Sequence, residues 1–149
     1  MTEKHRNQLA INVARYWKEL DAEISTKTSY MSNTKWYKLF SALADNNIDV
    51  AEVKFLLDEN VRPLYLFHEF DECKWEDFNE TGFTDGRNQP FYFREIEWIR
   101  LAEDSRQYRD KYGNLIPLKT LAELESIINS VAQFDYEKDE SSIKIFGYK

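Results

Sequence analysis

The sequence is poor in the residues that build disulfides, metal sites and linkers. Among 149 residues it has one cysteine, two histidines, four glycines and three prolines. One cysteine cannot form an internal disulfide, which fits a reducing compartment. No signal peptide is visible, and no run approaches the roughly 18 apolar residues of a membrane span. We therefore expect a cytoplasmic protein without a membrane segment.

Motifs for cofactor and metal chemistry are also missing. The sequence has no G-x-x-x-x-G-K or G-x-G-x-x-G phosphate loop, no H-E-x-x-H and no calcium loop. Cys73 follows His68 by five residues in a run of carboxylates, and this setting disfavours a thiolate nucleophile. We predict no cofactor, no metal ligand and no catalytic residue.

The remaining composition is that of a folded domain. Apolar residues make up 42 % of the chain and aromatic residues 15 %, which is enough to bury one core in a chain of this length. We predict a single α+β domain over residues 1–149, with a helical pair at about 3–46 and a sheet-rich remainder. No internal repeat or low-complexity segment is present.

Two amphipathic helices are predicted near the start. Leu9, Val13, Tyr16, Leu20 and Ile24 recur every three or four residues, which indicates a helix over roughly residues 3–25. A second apolar stripe follows Ser32 and Asn33, either of which can cap a helix; its members are Trp36, Leu39, Phe40 and Leu43.

Strand patterns dominate from residue 53 onward. Apolar runs at 53–57 and 63–67 predict a β-hairpin, with Pro63 at a strand start or an edge. The segment FYFREIEWIRL reads as one long strand with a bulge near Arg94–Glu95. Thr120 and Glu123 form a T-x-x-E capping box before a helix at about 119–132, and two short strands close the chain.

The order of these elements predicts the fold class. Most strands are neighbours in sequence and are joined by short turns, which favours an antiparallel or mixed sheet over a doubly wound one. We expect about five strands packed with three to four helices.

Charge narrows the choice of partner. The net charge is −7 and the pI is about 4.9, so binding to nucleic acid or to an anionic membrane is disfavoured. An acidic surface is also common in soluble proteins without any special partner. The first forty residues instead carry seven Lys and Arg against four Asp and Glu; we interpret these as a solvated helical surface, with a weak basic face as the alternative.

Two stretches hold much of the acid. Residues 69–80 and residues 123–140 each carry six carboxylates and one lysine. In a helix, the carboxylates of the first stretch would repel one another along one side, at about 0.2–0.5 kcal/mol per pair. Either that face is simply solvated, or a cationic partner offsets the repulsion. The predicted partner-binding residues are Glu69, Asp71, Glu72, Trp75, Glu76, Asp77, Asp135, Glu137, Asp139 and Glu140.

The segments SNTKWYKLF, IEWIRL and IKIFGYK resemble a family of small uncharacterised bacterial proteins of the toxin-immunity type. The resemblance implies binding to a protein toxin and carries over no catalytic residue. Small size, acidity and the lack of an active-site motif are typical of immunity proteins, which present carboxylates where a nuclease would bind phosphates. We therefore expect an immunity protein that occludes a cognate basic toxin, with Trp75 as an anchor.

Two other functions stay open on the sequence alone. A small hydrolase could use two carboxylates of unlike environment in an aromatic pocket. A homo-oligomeric adaptor could associate through an apolar patch on the N-terminal helices. The sequence does not fix the oligomeric state.

Overall fold

The computed structural model describes residues 2–46, 48, 50–65, 82–83, 91–103, 108–109, 111–113, 115–116 and 119–149. In chain order its elements are α1 (Glu3–Ser25), α2 (Asn33–Asp45), β1 (Val50–Phe55), β2 (Arg62–Tyr65), β3 (Gly82–Phe83), β4 (Phe91–Tyr92), a 3-10 helix (Phe93–Glu95), β5 (Ile96–Ala102), β6 (Tyr108–Arg109), β7 (Leu115–Ile116), α3 (Leu121–Val131), β8 (Tyr136–Lys138) and β9 (Ser142–Phe146).

A five-stranded antiparallel sheet in the order β2-β1-β5-β9-β8 forms the centre of the fold. Strands β3 and β4 form one separate pair, and β6 and β7 form another. The predicted α+β class is therefore confirmed, with three helices and an entirely antiparallel main sheet in the part of the chain described. None of the described helices is long and apolar enough to cross a membrane.

The core lies between one face of this sheet and helices α2 and α3. Alternate residues of β1, β5 and β9 point to that face, because side chains alternate along a strand. They join the buried stripes of α2 and α3 in one cluster, whose fully buried members include Leu39, Phe40, Leu43, Val53, Ile99, Ile128, Ile143 and Ile145.

Each helix begins at a capping side chain, as the sequence indicates for α2 and α3. The hydroxyls of Thr2, Ser32 and Thr120 accept hydrogen bonds from the backbone N–H groups three residues on. Of the two residues predicted to cap α2, Ser32 is the cap. At α3, the carboxylate of Glu103 also accepts the N–H of Leu121 at 2.6 Å.

The predicted hairpin is confirmed, and Pro63 lies on the edge strand β2, opposite Glu52. There its missing N–H interrupts no ladder on the outer side.

The prediction of one continuous strand over FYFREIEWIRL is wrong. The 3-10 helix Phe93–Glu95 separates β4 from β5, close to the predicted bulge at Arg94–Glu95. The register then shifts between Lys54 and Phe55, since Lys54 pairs with Trp98 and Phe55 pairs with Ile96. These two irregularities bury Phe93 and Ile96 together in the core cluster, whereas strict alternation places them on opposite faces.

Helix α1 has the predicted bounds, but only part of its apolar stripe is buried. Leu20 is buried against Leu56 and Tyr148, and Trp17 and Ile24 pack beside it. Towards the N-terminus, Leu9 is 49 % exposed and Val13 is 54 % exposed. The expectation that one face of α1 is buried therefore holds only for its second half.

The C-terminal residues form backbone hydrogen bonds with the loop between α1 and α2. The backbones of Thr28 and Lys149 exchange hydrogen bonds of 2.8 and 3.0 Å, and the N–H of Tyr30 donates to the carbonyl of Gly147 at 2.9 Å. Gly147 in turn donates its N–H to the carbonyl of Glu97 at 2.7 Å. Gly147 thus fastens the chain end to β5.

Gly147 tolerates no side chain at this approach. A Cβ built there would lie 2.5 Å from the carbonyl oxygen of Ile96 and 3.1 Å from the Trp36 ring. We expect Gly147→Ala to lower the free energy of unfolding by about 1–3 kcal/mol, because backbone has to move. Urea denaturation measures this loss, and a change below about 0.5 kcal/mol, the level of a neutral surface substitution, would show that the close approach is unimportant.

Candidate functional site

The first predicted acidic surface lies outside the described residues. Its members are Glu69, Asp71, Glu72, Trp75, Glu76 and Asp77, and they remain predictions. Sequence alone still locates the charge: residues 66–90 carry seven Asp and Glu against two Lys and Arg. This segment therefore contributes −5, the same acidic surplus as residues 123–140.

The second predicted surface follows one edge of the main sheet. Asp135 precedes the edge strand β8, Glu137 lies within it, and Asp139 and Glu140 form the turn into β9. The structure thus brings these four carboxylates to a single border of the domain. Charged residues on an edge strand also hinder pairing with strands of other molecules, so this placement has a structural use of its own.

Lys149 neutralises part of this edge. Its Nζ lies 2.7 Å from Oδ1 of Asp135 and 3.8 Å from Oε1 of Glu137. The hydrogen bond with Asp135, followed by the charges of both carboxylates, raises the pKa of Lys149 above its usual value. The same ammonium group lies 4.6 Å from the centre of the Phe146 ring, so a cation already occupies this aromatic face.

Asp139 is committed to the turn between β8 and β9. One of its carboxylate oxygens accepts the N–H groups of Ser141 and Ser142, and the other accepts the Ser142 hydroxyl, all at 2.8 Å. These hydrogen bonds, with that from Ser141 foremost, hold the pKa of Asp139 below its usual value. Asp139 therefore stabilises the turn, and its carboxylate has little hydrogen-bonding capacity left for a partner protein.

Two carboxylates of the edge remain largely open to solvent. The side chain of Glu137 is 67 % exposed, and Glu140 is exposed at the tip of the turn. An ion pair at such exposure contributes at most about 1 kcal/mol. Glu137 can therefore exchange Lys149 for a cation of another molecule at little cost.

The outer face of the sheet carries a charged row that sequence reasoning missed. Cross-strand pairing places Glu52 opposite Arg100, Arg100 opposite Lys144, and Lys144 opposite Glu137. Nη2 of Arg100 reaches both carboxylate oxygens of Glu52 at 2.7 and 2.8 Å. The alternation of IEWIRLA and SIKIF could have indicated this face, but the pairing of the strands was needed to align it.

Trp98 lies beside this row. Lys54 and Phe146 flank it on the neighbouring strands, and Nζ of Lys144 is 4.4 Å from its ring centre. Lys54 also binds Glu97 at 2.5 Å. Positive and negative side chains balance on this outer face, so it contributes none of the acidic surplus. The exposed carboxylates Glu137 and Glu140 lie next to it, along the β8 edge.

Glu95 is the one carboxylate that is buried in the described residues, at 8 % exposure. It lies in the 3-10 helix, and its two oxygens accept hydrogen bonds from the Tyr16 hydroxyl and from the N–H of Tyr92, the latter at 2.6 Å. Burial, together with the hydrogen bond to Glu95 and its charge, raises the pKa of Tyr16 above its usual value. Sequence reasoning did not single out this pair.

Aromatic rings surround the contact between α1 and Glu95. The Trp17 ring meets those of Tyr16 and Tyr92 edge-on at 4.9 and 5.4 Å, and the Arg94 guanidinium lies 4.9 Å from its centre. This resembles the aromatic pocket of the hydrolase alternative. However, the protein's own donors already use both oxygens of Glu95, so the arrangement acts as an attachment point for α1.

The resolved pKa shifts of the described residues do not favour proton transfer near neutrality. Carboxylate values are lowered, and tyrosine and lysine values are raised. A general acid or base works best with a pKa near the operating pH, and each of these shifts leads away from it. In the same described part, no three His, Cys, Asp or Glu side chains are grouped as metal ligands; His68 and Cys73 lie outside it.

Comparison with known proteins identifies a protein family. A family model described as "Family of unknown function (DUF6678)" matches residues 18–149. Neither the curated proteins nor the solved structures contain a match to this sequence.

Proposed function

The chain belongs to the DUF6678 family of unknown function, and we propose that it is a cytoplasmic binding protein that neutralises a cognate basic toxin. In this proposal it is an immunity protein that covers the active or substrate-binding surface of the toxin. The observation that carries the proposal is the β8 edge, where the exposed carboxylates of Glu137 and Glu140 stand beside a charge-balanced sheet face.

Electrostatics supports a basic partner in particular. Complementary charge accelerates encounter and selects among partners more than it adds affinity. The seven carboxylates of residues 66–90 and the open pair on the β8 edge would both attract Lys and Arg. A nuclease is a suitable partner, since its substrate groove is already built for phosphate oxygens. The predicted residues Glu69, Asp71, Glu72, Glu76 and Asp77 belong to this proposal, with Trp75 as the anchor.

The hydrolase alternative receives less support from the described residues. Its best candidate is Glu95, whose oxygens are bound by Tyr16 and Tyr92. Glu95 is buried at 8 % exposure, and each of its oxygens already accepts a hydrogen bond from the protein, which leaves it little access to a substrate. We therefore place the function in binding.

A pull-down tests the proposal directly. Tagged protein is incubated with lysate and secreted fractions of the source cell, washed at low and high salt, and the bound proteins are identified by mass spectrometry. We expect a stoichiometric basic protein that is released at high salt, since exposed charges are screened there. The absence of any stoichiometric partner at either salt concentration would overturn the proposal.

Charge reversal then identifies the surface. We expect Glu137→Lys to lower the association rate constant with the captured partner by about threefold to tenfold, because an exposed interface charge acts mainly on encounter. Glu59→Lys is the matched control: it makes the same charge change at an exposed position in the β1–β2 turn. Surface plasmon resonance measures both variants.

Equal rates for Glu137→Lys and Glu59→Lys would remove the β8 edge from the interface. The double variant Glu72→Lys/Glu76→Lys tests the other acidic surface in the same assay. If neither surface affects the rate, binding does not depend on the acidic stretches and the proposed mechanism fails.

A further inference from the structure

The first half of α1 extends beyond the core that its second half joins. Leu9, Val13, Tyr16 and Leu20 are spaced by four, three and four residues, so they form one continuous stripe along the helix. Leu20 is fully buried, Tyr16 is half-buried, and Val13 and Leu9 are about half exposed. The stripe therefore continues into solvent after the domain has ended.

This extension has little to hold it helical by itself. Residues 3–15 span about 20 Å at 1.5 Å per residue, and an isolated helix of that length is marginal in water. Asn7, Ile11, Asn12 and Val13 are poor helix formers. The described support consists of the Thr2 cap and a 3.1 Å hydrogen bond between Gln8 and Asn12. A surface that covers Leu9 and Val13 would supply the missing stabilisation.

The charges of α1 indicate which surface this is. Lys4, Arg6 and Arg15 lie in the first half of the helix, where Glu3 is the only acidic residue. The second half carries Glu19, Asp21 and Glu23 against Lys18, and Glu19 and Asp21 are exposed. Antiparallel packing of two copies of α1 turns the basic half of each towards the acidic half of the other. Parallel packing would instead align like charges.

We propose that α1 pairs with α1 of a second copy of this chain, antiparallel and about a two-fold axis. Leu9 of one copy then packs against Val13 of the other, and the same contact repeats across the axis, as a two-fold interface requires. In this register Arg6 lies within about one helical turn of Glu19 of the second copy. The apolar seam continues into each copy's own cluster around Leu20.

This inference is independent of the proposed toxin-binding function. The family match begins at residue 18, whereas the seam residues Leu9 and Val13 precede it. The β8 edge is a different part of the structure. A dimer could therefore exist whether or not a toxin is bound.

Sedimentation equilibrium of the full chain over a range of concentrations tests the pairing. We expect a reversible monomer–dimer equilibrium, and we expect Leu9→Glu and Val13→Glu each to weaken dimerisation at least tenfold. Ile11→Glu is the matched control, because Ile11 is 53 % exposed but lies about 200° around the helix from Leu9. It should leave the dimer nearly unchanged.

A charge exchange tests the antiparallel orientation. Arg6→Glu should weaken the dimer severalfold, and Arg6→Glu combined with Glu19→Arg should restore it. Loss of helix stability would not explain the first result, since an acidic residue near a helix N-terminus is favourable. The inference is overturned by a monomer at every concentration, by a dimer that resists Leu9→Glu and Val13→Glu, by a dimer that is lost with Ile11→Glu, or by failure of the exchange to restore association.

Discussion

Replacing Phe40 with alanine lowers the free energy of unfolding by about 3–5 kcal/mol, the range for removal of a buried phenylalanine side chain. Phe40 is fully buried in the interior face of α2. Its ring stacks on Trp36 at 5.5 Å and on Phe93 at 5.8 Å between centroids. It thereby packs α2 against the 3-10 helix that separates β4 from β5. Truncation removes this contact and opens a cavity between the helix and the sheet.

Chemical denaturation followed by circular dichroism measures the loss. Phe40→Leu, which keeps most of the volume, should cost clearly less than Phe40→Ala. Val61→Ala is the control for apolar truncation outside the core, because Val61 is 46 % exposed; it should change stability by no more than about 0.5 kcal/mol. A Phe40→Ala variant as stable as Val61→Ala would show that α2 does not pack on the sheet as described.

Helix α2 shows what the sequence could predict. Its cap at Ser32 and its apolar stripe lie within 13 residues of each other, so local chemistry specifies both. The same holds for the start of α3 at Thr120. The two short closing strands were also predictable, because a polar turn separates them.

The failures concern contacts between distant segments. The residues that flank the 3-10 helix Phe93–Glu95 in sequence are aromatic or β-branched, which is typical of a strand. The strand conformation is nevertheless interrupted where the Phe93 ring stacks on Phe40 of α2. The exposure of Leu9 and Val13 depends on where the rest of the domain ends. Periodicity marks an apolar face, but it does not show how much of that face finds a partner.

The candidate site divides in the same way. The carboxylates of the β8 edge are neighbours in sequence, and composition alone was enough to find them. Which of these carboxylates are already bound within the protein was not predictable. Lys149 pairs with Asp135, and the backbone N–H groups of Ser141 and Ser142 bind Asp139. Glu95 was missed for a similar reason: its partner Tyr16 lies 79 residues away, and no local pattern connects the two.

The two surfaces proposed for association differ in chemistry. The α1 seam is apolar at its centre, with charges that complement a copy of itself. The β8 edge is acidic and belongs to a chain with a net charge of −7, so it repels the same edge of a second copy. The first surface therefore suits self-association, and the second suits a basic protein.

Replacing Glu95 with alanine lowers the free energy of unfolding by about 2–6 kcal/mol. The change leaves the Tyr16 hydroxyl and the Tyr92 N–H without their acceptor, and each unsatisfied buried donor costs about 1–3 kcal/mol. It also releases α1 from the 3-10 helix, since Tyr16 donates to Glu95 across that contact. Glu95→Gln keeps an acceptor oxygen and should cost less. Urea denaturation of both variants gives the two values.

The double-mutant cycle of Tyr16→Phe and Glu95→Gln separates this contact from general disruption. A coupling energy near zero would show that the two side chains do not act together.

The pH dependence of stability supplies a second readout of the same contact. The pKa of Tyr16 is raised above its ordinary value of 10.0 in the folded state. Above pH 10 the unfolded chain releases this proton while the folded chain keeps it, so ionisation favours unfolding. The stabilisation is fully present below pH 10 and declines as the pH rises further. We expect Tyr16→Phe to be less sensitive than the wild type between about pH 9 and pH 11. The other tyrosine with a raised pKa, Tyr148, is retained in both proteins, so an identical alkaline decline would remove the Tyr16–Glu95 contact as its cause.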